Sequence, residues 1–243
     1  MPHINEDHTT AILPEVRALL DFQNKRKTAD KPKLNPSPPV RTEFSFDPIE
    51  NALQAYKDGE FLVVMDDESR ENEGDLIIAG CHSTTEKMAW ITRPFRESGL
   101  ICISLPGERL AELEIPMMVP KKNQDRHRTA NTVSVDYKHG GQAVDPATLA
   151  ALALSCHLLP LRARPGGVLT RRGHTETAVD LCRLTGLPEA GVLCELVNDL
   201  DGDIQGGMMR RDQCRQFADK LWGLKMISVE MLAELRKKNE QTE

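Results

Sequence analysis

The chain has 243 residues, 40% of them hydrophobic and 28% charged, which is typical of one soluble domain of ordinary to large size. Its formal net charge of −6 argues against a duplex nucleic-acid binder, which needs a dominant basic surface, but not against binding of a small anion. No apolar run approaches the ~18 residues that cross a bilayer, so no membrane association is expected.

The cysteines predict a reducing environment. No two of them form a C-x-x-C pair, so a structural zinc site is not expected, and several lie in apolar runs, as reduced thiols do. The polar segment Met1–Thr10 lacks the order of a secretory signal. We therefore expect a cytoplasmic protein. The six cysteines are Cys81, Cys102, Cys156, Cys182, Cys194 and Cys214.

Three regions are predicted along the chain. Residues 1–46 form an N-terminal arm, with a helix over Ile12–Lys27 followed by a Pro-rich, polar linker over Thr28–Thr42. A folded domain covers residues 47–238, and residues 239–243 form a tail.

The predicted elements of the domain alternate between helix and strand. Asp47 is the expected N-cap of the first helix, followed by Pro48 and by Glu50 at the third helical position, and Gly59 ends that helix. The remaining elements are strands Phe61–Met65 and Leu76–Ala79, helix Thr85–Thr92, strands Leu100–Leu105 and Thr132–Val135, helices Pro146–Leu154 and Thr175–Leu184, strand Val192–Val197, helix Asp212–Trp222, strand Leu224–Ile227, and a last helix capped by Ser228 and running through Leu235. This mix predicts an α/β (α+β) fold: one layered domain with a mixed β-sheet flanked by helices.

The segment Asp66–Asp75, DDESRENEGD, carries six acidic side chains and joins two predicted strands. Packing so much like charge into one loop is costly unless a cation answers it. One interpretation is a solvated acidic hairpin. The other is a site for a hard cation, with Arg70 turned toward an anionic ligand.

The segment Leu161–Thr175, LRARPGGVLTRRGHT, crowds four arginines and three glycines just before a helix start. Guanidinium groups and the free amides of a helix N-terminus together favour an anion site. His174 stands at the start of that helix, flanked by arginines, which would disfavour its protonation and leave an imidazole able to bind metal. The plainer alternative is a hydrogen-bonded structural histidine.

Glu195 lies within the apolar run GVLCELVND, where alternation places it on one face with Leu193 and Val197. A carboxylate there should be partly desolvated, with a raised pKa, as is usual for a general acid or base. The alternative is an edge strand with Glu195 facing water. Together the three segments predict a metal and phosphate site with one tuned carboxylate, and no nucleotide-binding glycine motif is present.

DDESRENEGD, RRGHTETAVDLC and GVLCELVND closely resemble the signatures of the 3,4-dihydroxy-2-butanone-4-phosphate synthase family, over about Asp47–Leu235, and the double-arginine form resembles fungal members. The resemblance implies a lyase of riboflavin biosynthesis that converts D-ribulose 5-phosphate to 3,4-dihydroxy-2-butanone 4-phosphate and formate. It also implies a homodimer that depends on Mg²⁺ (or Mn²⁺), has a mixed sheet flanked by helices, and has its active sites at the subunit interface.

The resemblance also implies roles for individual residues. Glu71 and His174 would be the metal ligands. The catalytic residues would be His157, Glu195, Asp67 and Cys102. The substrate, a small phosphorylated sugar, would be bound by Arg70, Glu71, Asp75, Thr129, Arg171, Arg172, Gly173 and Thr175.

The chain departs from the family pattern between its fourth predicted strand and His157. Family members carry a stretch resembling T-T-G-x-S-A-x-D-R, whereas Asp136–Asp145 reads DYKHGGQAVD. Arg128 stands where glycine is usual, Asn131 where an aromatic is usual, and Cys156 where glycine precedes the histidine. Three readings follow: an authentic synthase, a diverged paralogue using the same metal and proton-transfer site on another substrate, or a non-catalytic homologue. Retention of the proton-transfer residues argues against the third.

Overall fold

The computed structural model describes residues 43–91, 100–135, 158–198 and 207–241. The predicted helices Ile12–Lys27 and Pro146–Leu154, the segment Asp136–Asp145 and the candidate catalytic residue His157 lie outside these ranges. Within them, no helix has both the length and the apolar character needed to cross a membrane.

The described chain alternates between short strands and helices. In chain order the elements are α1 (Ile49–Lys57), β1 (Leu62–Met65), β2 (Gly74–Ala79), a 3₁₀ turn (Gly80–His82), α2 (Thr85–Ile91), β3 (Ile101–Pro106), α3 (Gly107–Glu112), β4 (Leu159–Ala163), a 3₁₀ turn (Gly167–Leu169), α4 (His174–Thr185), β5 (Gly191–Glu195), α5 (Arg211–Gln216) with its π-helical continuation (Phe217–Trp222), β6 (Lys225–Ser228) and α6 (Val229–Glu240).

One six-stranded sheet organises the domain, in the order β4-β3-β5-β2-β1-β6. The pairs β1–β6 and β3–β4 are parallel, whereas β1–β2, β2–β5 and β3–β5 are antiparallel. The mixed sheet predicted from the sequence is therefore confirmed. Because β5 lies between β2 and β3, the strands that carry Asp75, Glu195 and Cys102 are neighbours.

Helices cover both faces of the sheet, so the central strands are apolar on both sides. On one face, Val63 and Ile78 pack with Met88 of α2 and with Phe217 after α5. On the other face, side chains of β1, β2 and β5 pack with α1, α4 and α6, as illustrated by Leu181 of α4. Burial on both faces explains why these strands read as continuous apolar runs in the sequence.

The predicted N-cap of α6 is found in the structure, whereas the predicted N-cap of α1 is not. The Ser228 hydroxyl accepts a hydrogen bond of 3.3 Å from the Met231 amide and caps α6, as predicted. The N-cap position of α1 is Pro48 and not Asp47, so the predicted cap position is wrong by one residue. The buried carboxylate of Asp47 instead accepts hydrogen bonds from Arg215 at 2.8 Å and from the Met226 amide at 2.9 Å.

Two regions were not anticipated in detail. The expected strand Thr132–Val135 forms only isolated bridges, in which Thr132 pairs with Met117 and Val135 with Leu158. Strand β4 and helix α3 were not predicted. Phe44 and Phe46 pack against the core, so close packing begins just before residue 47.

Candidate active site

The loop between β1 and β2 is organised around the carboxylate of Asp66, whose side chain has no exposed surface. One oxygen accepts hydrogen bonds from Arg70 Nη1 at 2.6 Å and from the Glu71 amide at 3.2 Å. The other accepts from the Glu73 amide at 2.9 Å. The loop's own amides therefore satisfy Asp66, and they fix where the side chain of Glu71 begins.

The guanidinium group of Arg70 lies within the acidic loop rather than free in solvent. It pairs with Asp66 and also contacts the carboxylate of Glu71. From outside the loop, Arg210 donates to the carbonyls of Glu71 and Asn72 at 2.8 and 2.7 Å. The positively charged side chains of Arg70 and Arg210 thus hold the loop in one arrangement despite its many negative charges.

A candidate cation site lies beside this loop. Asp66, Glu71 and His174 each offer one ligand atom, and these atoms lie within 4.8 Å of one another. His174 Nδ1 is 3.9 Å from an oxygen of Glu71 and 3.4 Å from an oxygen of Asp75. Carboxylate oxygens suit a hard divalent ion such as Mg²⁺, and one imidazole nitrogen is compatible with Mn²⁺ or Mg²⁺.

The hydrogen bonding of His174 leaves the nitrogen that faces the carboxylates free to act as a ligand. Its Nε2 is 3.1 Å from the carbonyl oxygen of Val64, which can only accept, so Nε2 carries the proton. Burial lowers the pKa of His174, which favours the neutral ring. Nδ1 therefore presents a lone pair toward Glu71 and Asp75, an orientation fixed as in many metal-binding histidines.

Asp75 and Glu195 face each other across the antiparallel pair of β2 and β5. Asp75 is buried, and burial, followed by the negative charges of Glu195 and Glu71, holds its pKa well above the ordinary value. Glu195 is half-buried, and burial followed by the charge of Glu71 raises its pKa. Glu195 lies at the end of its strand and does not face open water from an edge strand.

Cys102 lies on the neighbouring strand β3, opposite Leu193 and on the same face of the sheet as Glu195. Its thiol is buried, and burial raises its pKa, with further contributions from the charges of Asp75 and Glu195. The raised pKa favours the neutral thiol, which argues against a role for Cys102 as a thiolate.

On the side predicted to bind phosphate, each of the three guanidinium nitrogens of Arg171 contacts a different protein group. Nε donates to the carbonyl of His127 at 3.0 Å, Nη2 to the hydroxyl of Thr129 at 3.0 Å, and Nη1 to Glu176 at 2.6 Å. The sequence suggested that Arg171 binds substrate directly. In the structure it also joins the start of α4 to the loop that carries Thr129.

The adjacent residues complete this side. Arg172 pairs with Glu230 of α6 at 2.9 Å and also donates to the carbonyl of Val168. Gly173 precedes α4, and a Cβ there would lie 2.2 Å from Arg171 Nη1, so any other residue would displace the guanidinium group from this position. Thr175 is buried in the first turn of the helix.

Asp67 is the candidate residue that the structure places apart from the buried cluster. It is exposed, and its carboxylate accepts hydrogen bonds from the Ser69 hydroxyl and amide, which lower its pKa. These contacts give Asp67 a turn-stabilising role in the loop.

A cleft with a volume of about 660 Å³ opens beside the acidic loop. Arg70, His127 and Arg172 line its polar part, while Phe44 and Phe46 line its apolar part. A volume of this size lies within the range of about 300–1,000 Å³ that is typical of small-molecule sites.

Two residues of the site were not singled out from the sequence. Asp66 was read only as one of six loop acids, although its place directly after a buried strand marked it as the acid nearest the sheet. Glu176 lies within the arginine-rich motif, but the periodicity of α4 indicated only a helical position. Its contacts depend on the 127–129 loop, which the local sequence does not reveal.

Comparison with known proteins places this geometry in a family. The family model described as 3,4-dihydroxy-2-butanone 4-phosphate synthase matches residues 50–235. The chain is 50% identical over 200 residues to the protein of that name from Schizosaccharomyces pombe, covering 76% of this chain and 94% of the relative. It is 48% identical over 204 residues to the protein from Candida albicans, covering 78% and 96%.

Solved structures agree. A 3,4-dihydroxy-2-butanone 4-phosphate synthase crystallised in complex with two magnesium ions is similar with a TM-score of 0.67 and 41% identity, covering 80% of this chain and 99% of that one. A cation-free form of a protein with the same name gives a TM-score of 0.65 at 40% identity. The acidic loop, the histidine at the start of α4 and the facing carboxylates thus lie in the fold of these solved structures. The chain belongs to the 3,4-dihydroxy-2-butanone 4-phosphate synthase family, whose members are lyase-type enzymes.

Proposed function

We propose that this chain converts D-ribulose 5-phosphate to 3,4-dihydroxy-2-butanone 4-phosphate and formate, as a Mg²⁺-dependent (or Mn²⁺-dependent) step of riboflavin biosynthesis. The observation that carries the proposal is the convergence of Glu71 and the unprotonated Nδ1 of His174 beside Asp75. These groups come from parts of the chain about a hundred residues apart, and the donor set fits a hard divalent ion.

Glu71 and His174 would hold the ion, with water and substrate hydroxyls completing its shell. When bound, the ion would supply Lewis acidity to neighbouring substrate oxygens. Asp66 keeps Glu71 in place through the loop amide, and Arg70 balances the negative charge of both carboxylates. This arrangement prepares the loop to bind a cation without repulsion between its own acids.

Proton transfer would depend on Glu195, which faces Asp75 across the sheet. Loss of a carbon as formate needs repeated proton movements next to a carbonyl, which suits several acid and base groups better than one nucleophile. His157 is proposed as a second proton carrier, and Asp75 as a substrate-binding group. Cys102 would line the floor of the site.

The anionic end of the substrate would be bound by Arg70 and Arg172, which line the cleft, and by Thr129, which Arg171 contacts. Thr129 Oγ1 accepts from Arg171, so its own proton would bind a phosphate oxygen in exchange for its contact with the carboxylate of Asp125. Thr175 would contribute its amide in the first turn of α4. The amide of Gly173 already donates to the carbonyl of Arg171 at 2.9 Å, so Gly173 would contribute only a close approach of its backbone to the substrate.

The reaction is tested by incubating the full chain with ribulose 5-phosphate and Mg²⁺ and measuring formate. We expect formate release that stops when the metal is chelated and returns when it is restored. Because Asp136–Asp145 is short where relatives carry hydroxyl side chains, we expect a raised KM. No formate at any substrate concentration, from folded and metal-loaded protein, would contradict the proposal and favour the diverged paralogue, which the relatives do not support.

We further propose that the chain works as a cytoplasmic homodimer with no nucleic-acid or membrane partner. Support for the dimer comes from the family resemblance, and the negative net charge supports the absence of a nucleic-acid partner. Sedimentation at several protein concentrations would test the dimer, since a monomeric mass throughout would contradict it.

A further inference from the structure

Glu176 is a buried carboxylate that joins three separate parts of the site. It is 1% exposed and lies in the first turn of α4. One of its oxygens accepts from the Arg164 amide, just after β4, at 3.0 Å. The other accepts from Arg171 Nη1 at 2.6 Å. A buried carboxylate with both oxygens occupied fixes the position of its partners.

Arg171 transmits this constraint to the loop that carries Thr129. Its Nε binds the carbonyl of His127 and its Nη2 binds the Thr129 hydroxyl, each at 3.0 Å. The carboxylate of Asp125 shapes the same loop by accepting from the amides of His127 and Thr129 at 3.0 and 2.8 Å. The loop is thus held from two sides, by its own aspartate and by Arg171.

The direction of these hydrogen bonds determines what the Thr129 hydroxyl can do. A guanidinium group can only donate, so Thr129 Oγ1 is the acceptor and its own proton points away from Arg171, where the side chain also contacts the carboxylate of Asp125. A hydroxyl whose lone pair is already engaged is a ready donor to an anionic oxygen. Gly173 makes the arrangement possible, because any Cβ there would meet Arg171 Nη1 at 2.2 Å.

We propose that Glu176 is a positioning residue for the anionic end of the substrate: it holds Arg171, which in turn fixes Thr129 as a hydrogen-bond donor. This inference rests on the proposed function, since it assigns the phosphate end of that substrate to Thr129. Glu176 itself touches no substrate, and it acts through the guanidinium group of Arg171.

The test is Glu176→Gln in the full chain. Glutamine keeps the shape of the side chain but has a single acceptor oxygen, whereas both partners of Glu176 are donors, so one contact is lost in either amide orientation. We expect KM for ribulose 5-phosphate to rise about tenfold or more, as expected for a weakened hydrogen bond to a charged group. We expect kcat and the Mg²⁺ concentration for half-maximal activity to stay close to wild type.

The matched control is Asp180→Asn, one turn further along α4. Asp180 is also buried and also accepts from one amide, Val168 at 2.8 Å, and from arginine, with Arg236 at 2.6 Å and Arg183 at 3.4 Å. It should lose stability to a similar degree with little change in KM. Equal KM for Glu176→Gln and wild type, or the same KM increase in both variants, would overturn the inference.

A double variant tests the route of the effect. In a Thr129→Val background the hydroxyl is absent, so adding Glu176→Gln should raise KM far less than it does in wild type. KM effects that simply multiply would show that Glu176 does not act through Thr129. If Glu176→Gln does not fold, Arg171→Lys breaks the same link, since one ammonium cannot bind three separated groups, and an unchanged KM there would overturn the inference.

A nuclear magnetic resonance measurement separates this inference from the proposed reaction. The Nε–H of Arg171, assigned by its loss in Arg171→Lys, should exchange slowly with water in wild type and rapidly in Glu176→Gln. This readout needs no turnover. Absence of formate release with a protected Nε–H would reject the proposed function and keep the positioning contact, whereas a rapidly exchanging Nε–H in wild type would overturn the positioning role.

Discussion

Arg128 has a backbone conformation that favours glycine. Its φ is +54°, in the left-handed region, where a Cβ costs about 1–2 kcal/mol. Its position is one of the two, with that of Cys156, at which the family resemblance leads us to expect glycine. The side chain is exposed, so no packing contact explains the arginine.

Arg128→Gly should therefore stabilise the protein. Relief of strain is partly offset by the greater freedom of glycine in the unfolded chain, leaving a gain of about 0.5–1 kcal/mol and a Tm rise of about 1–4 °C. Calorimetry would measure it. The control is Arg126→Gly, an exposed neighbour that is not among the described residues with positive φ. A stability loss in Arg128→Gly as large as in the control would contradict the strain.

Glu71→Gln should weaken cation binding without unfolding the chain. Removing a charged ligand from a site with few protein ligands should weaken Mg²⁺ affinity by at least about tenfold. Folding should change little, since the loss of its contact with Arg70 is offset by relief of repulsion in the loop. Titration calorimetry with Mg²⁺ gives the affinity. Glu68→Gln, which removes the same charge from an exposed position of the loop, should bind Mg²⁺ nearly as well as wild type.

At the scale of elements, the approach of α4 to β5 sets the position of the whole N-terminal end of that helix. A Cβ on Gly191 would lie 2.7 Å from Ala178 Cβ and 2.8 Å from the Ala178 carbonyl. The helix therefore rests directly on strand backbone. Because His174 is the first residue of α4, any outward shift of the helix moves it relative to Asp75.

Gly191→Ala should therefore impair both stability and metal binding. Overpacking at this contact is expected to cost about 1–3 kcal/mol. Urea denaturation measures the loss, and calorimetry should show weaker Mg²⁺ binding. Gly207→Ala is the matched control, because no atom lies within 4 Å of a Cβ built there. Similar stability in the two variants would mean that the sheet yields at Gly191 without cost.

The elements that the sequence predicted best are those buried on both faces. Strands β1 and β2 read as unbroken apolar runs because helices cover both sides of the sheet. The local pattern around Asp47 predicts a helix cap, but the carboxylate of Asp47 accepts a hydrogen bond from a distant residue, Arg215. The 131–135 segment carries strand-like residues but meets its partners only at single bridges.

The residue types of the site were easier to predict from the sequence than the contacts between them. The residue types of the acidic loop and of His174 predicted a cation site from local charge alone. The pairing of Asp75 with Glu195 depends on sheet order, and the contact between Arg171 and Thr129 spans 42 residues. Such long-range geometry has no signature in the spacing of neighbouring residues.

On the scale of the whole molecule, the sheet order brings the candidate site together from separate parts of the chain. The acidic loop precedes β2, Cys102 lies on β3, His174 begins α4, and Glu195 ends β5. Apart from the acidic loop, each of these segments supplies only one of the groups that the proposed chemistry needs. The site therefore exists only when the central strands have paired.

Because the metal site forms only in the folded chain, metal binding should raise the thermal stability of the protein. A chain that binds a divalent ion only when folded is stabilised by mass action, by about 2.7 kcal/mol when the free ion is at a hundred times its Kd. Scanning calorimetry should then show Tm rising with Mg²⁺ concentration, by roughly 5–11 °C at that excess. Glu71→Gln should show a clearly smaller rise at the same Mg²⁺ concentration, and a flat Tm in wild type would contradict the linkage. The concentration of free Mg²⁺ around the protein would then determine its thermal stability as well as its activity.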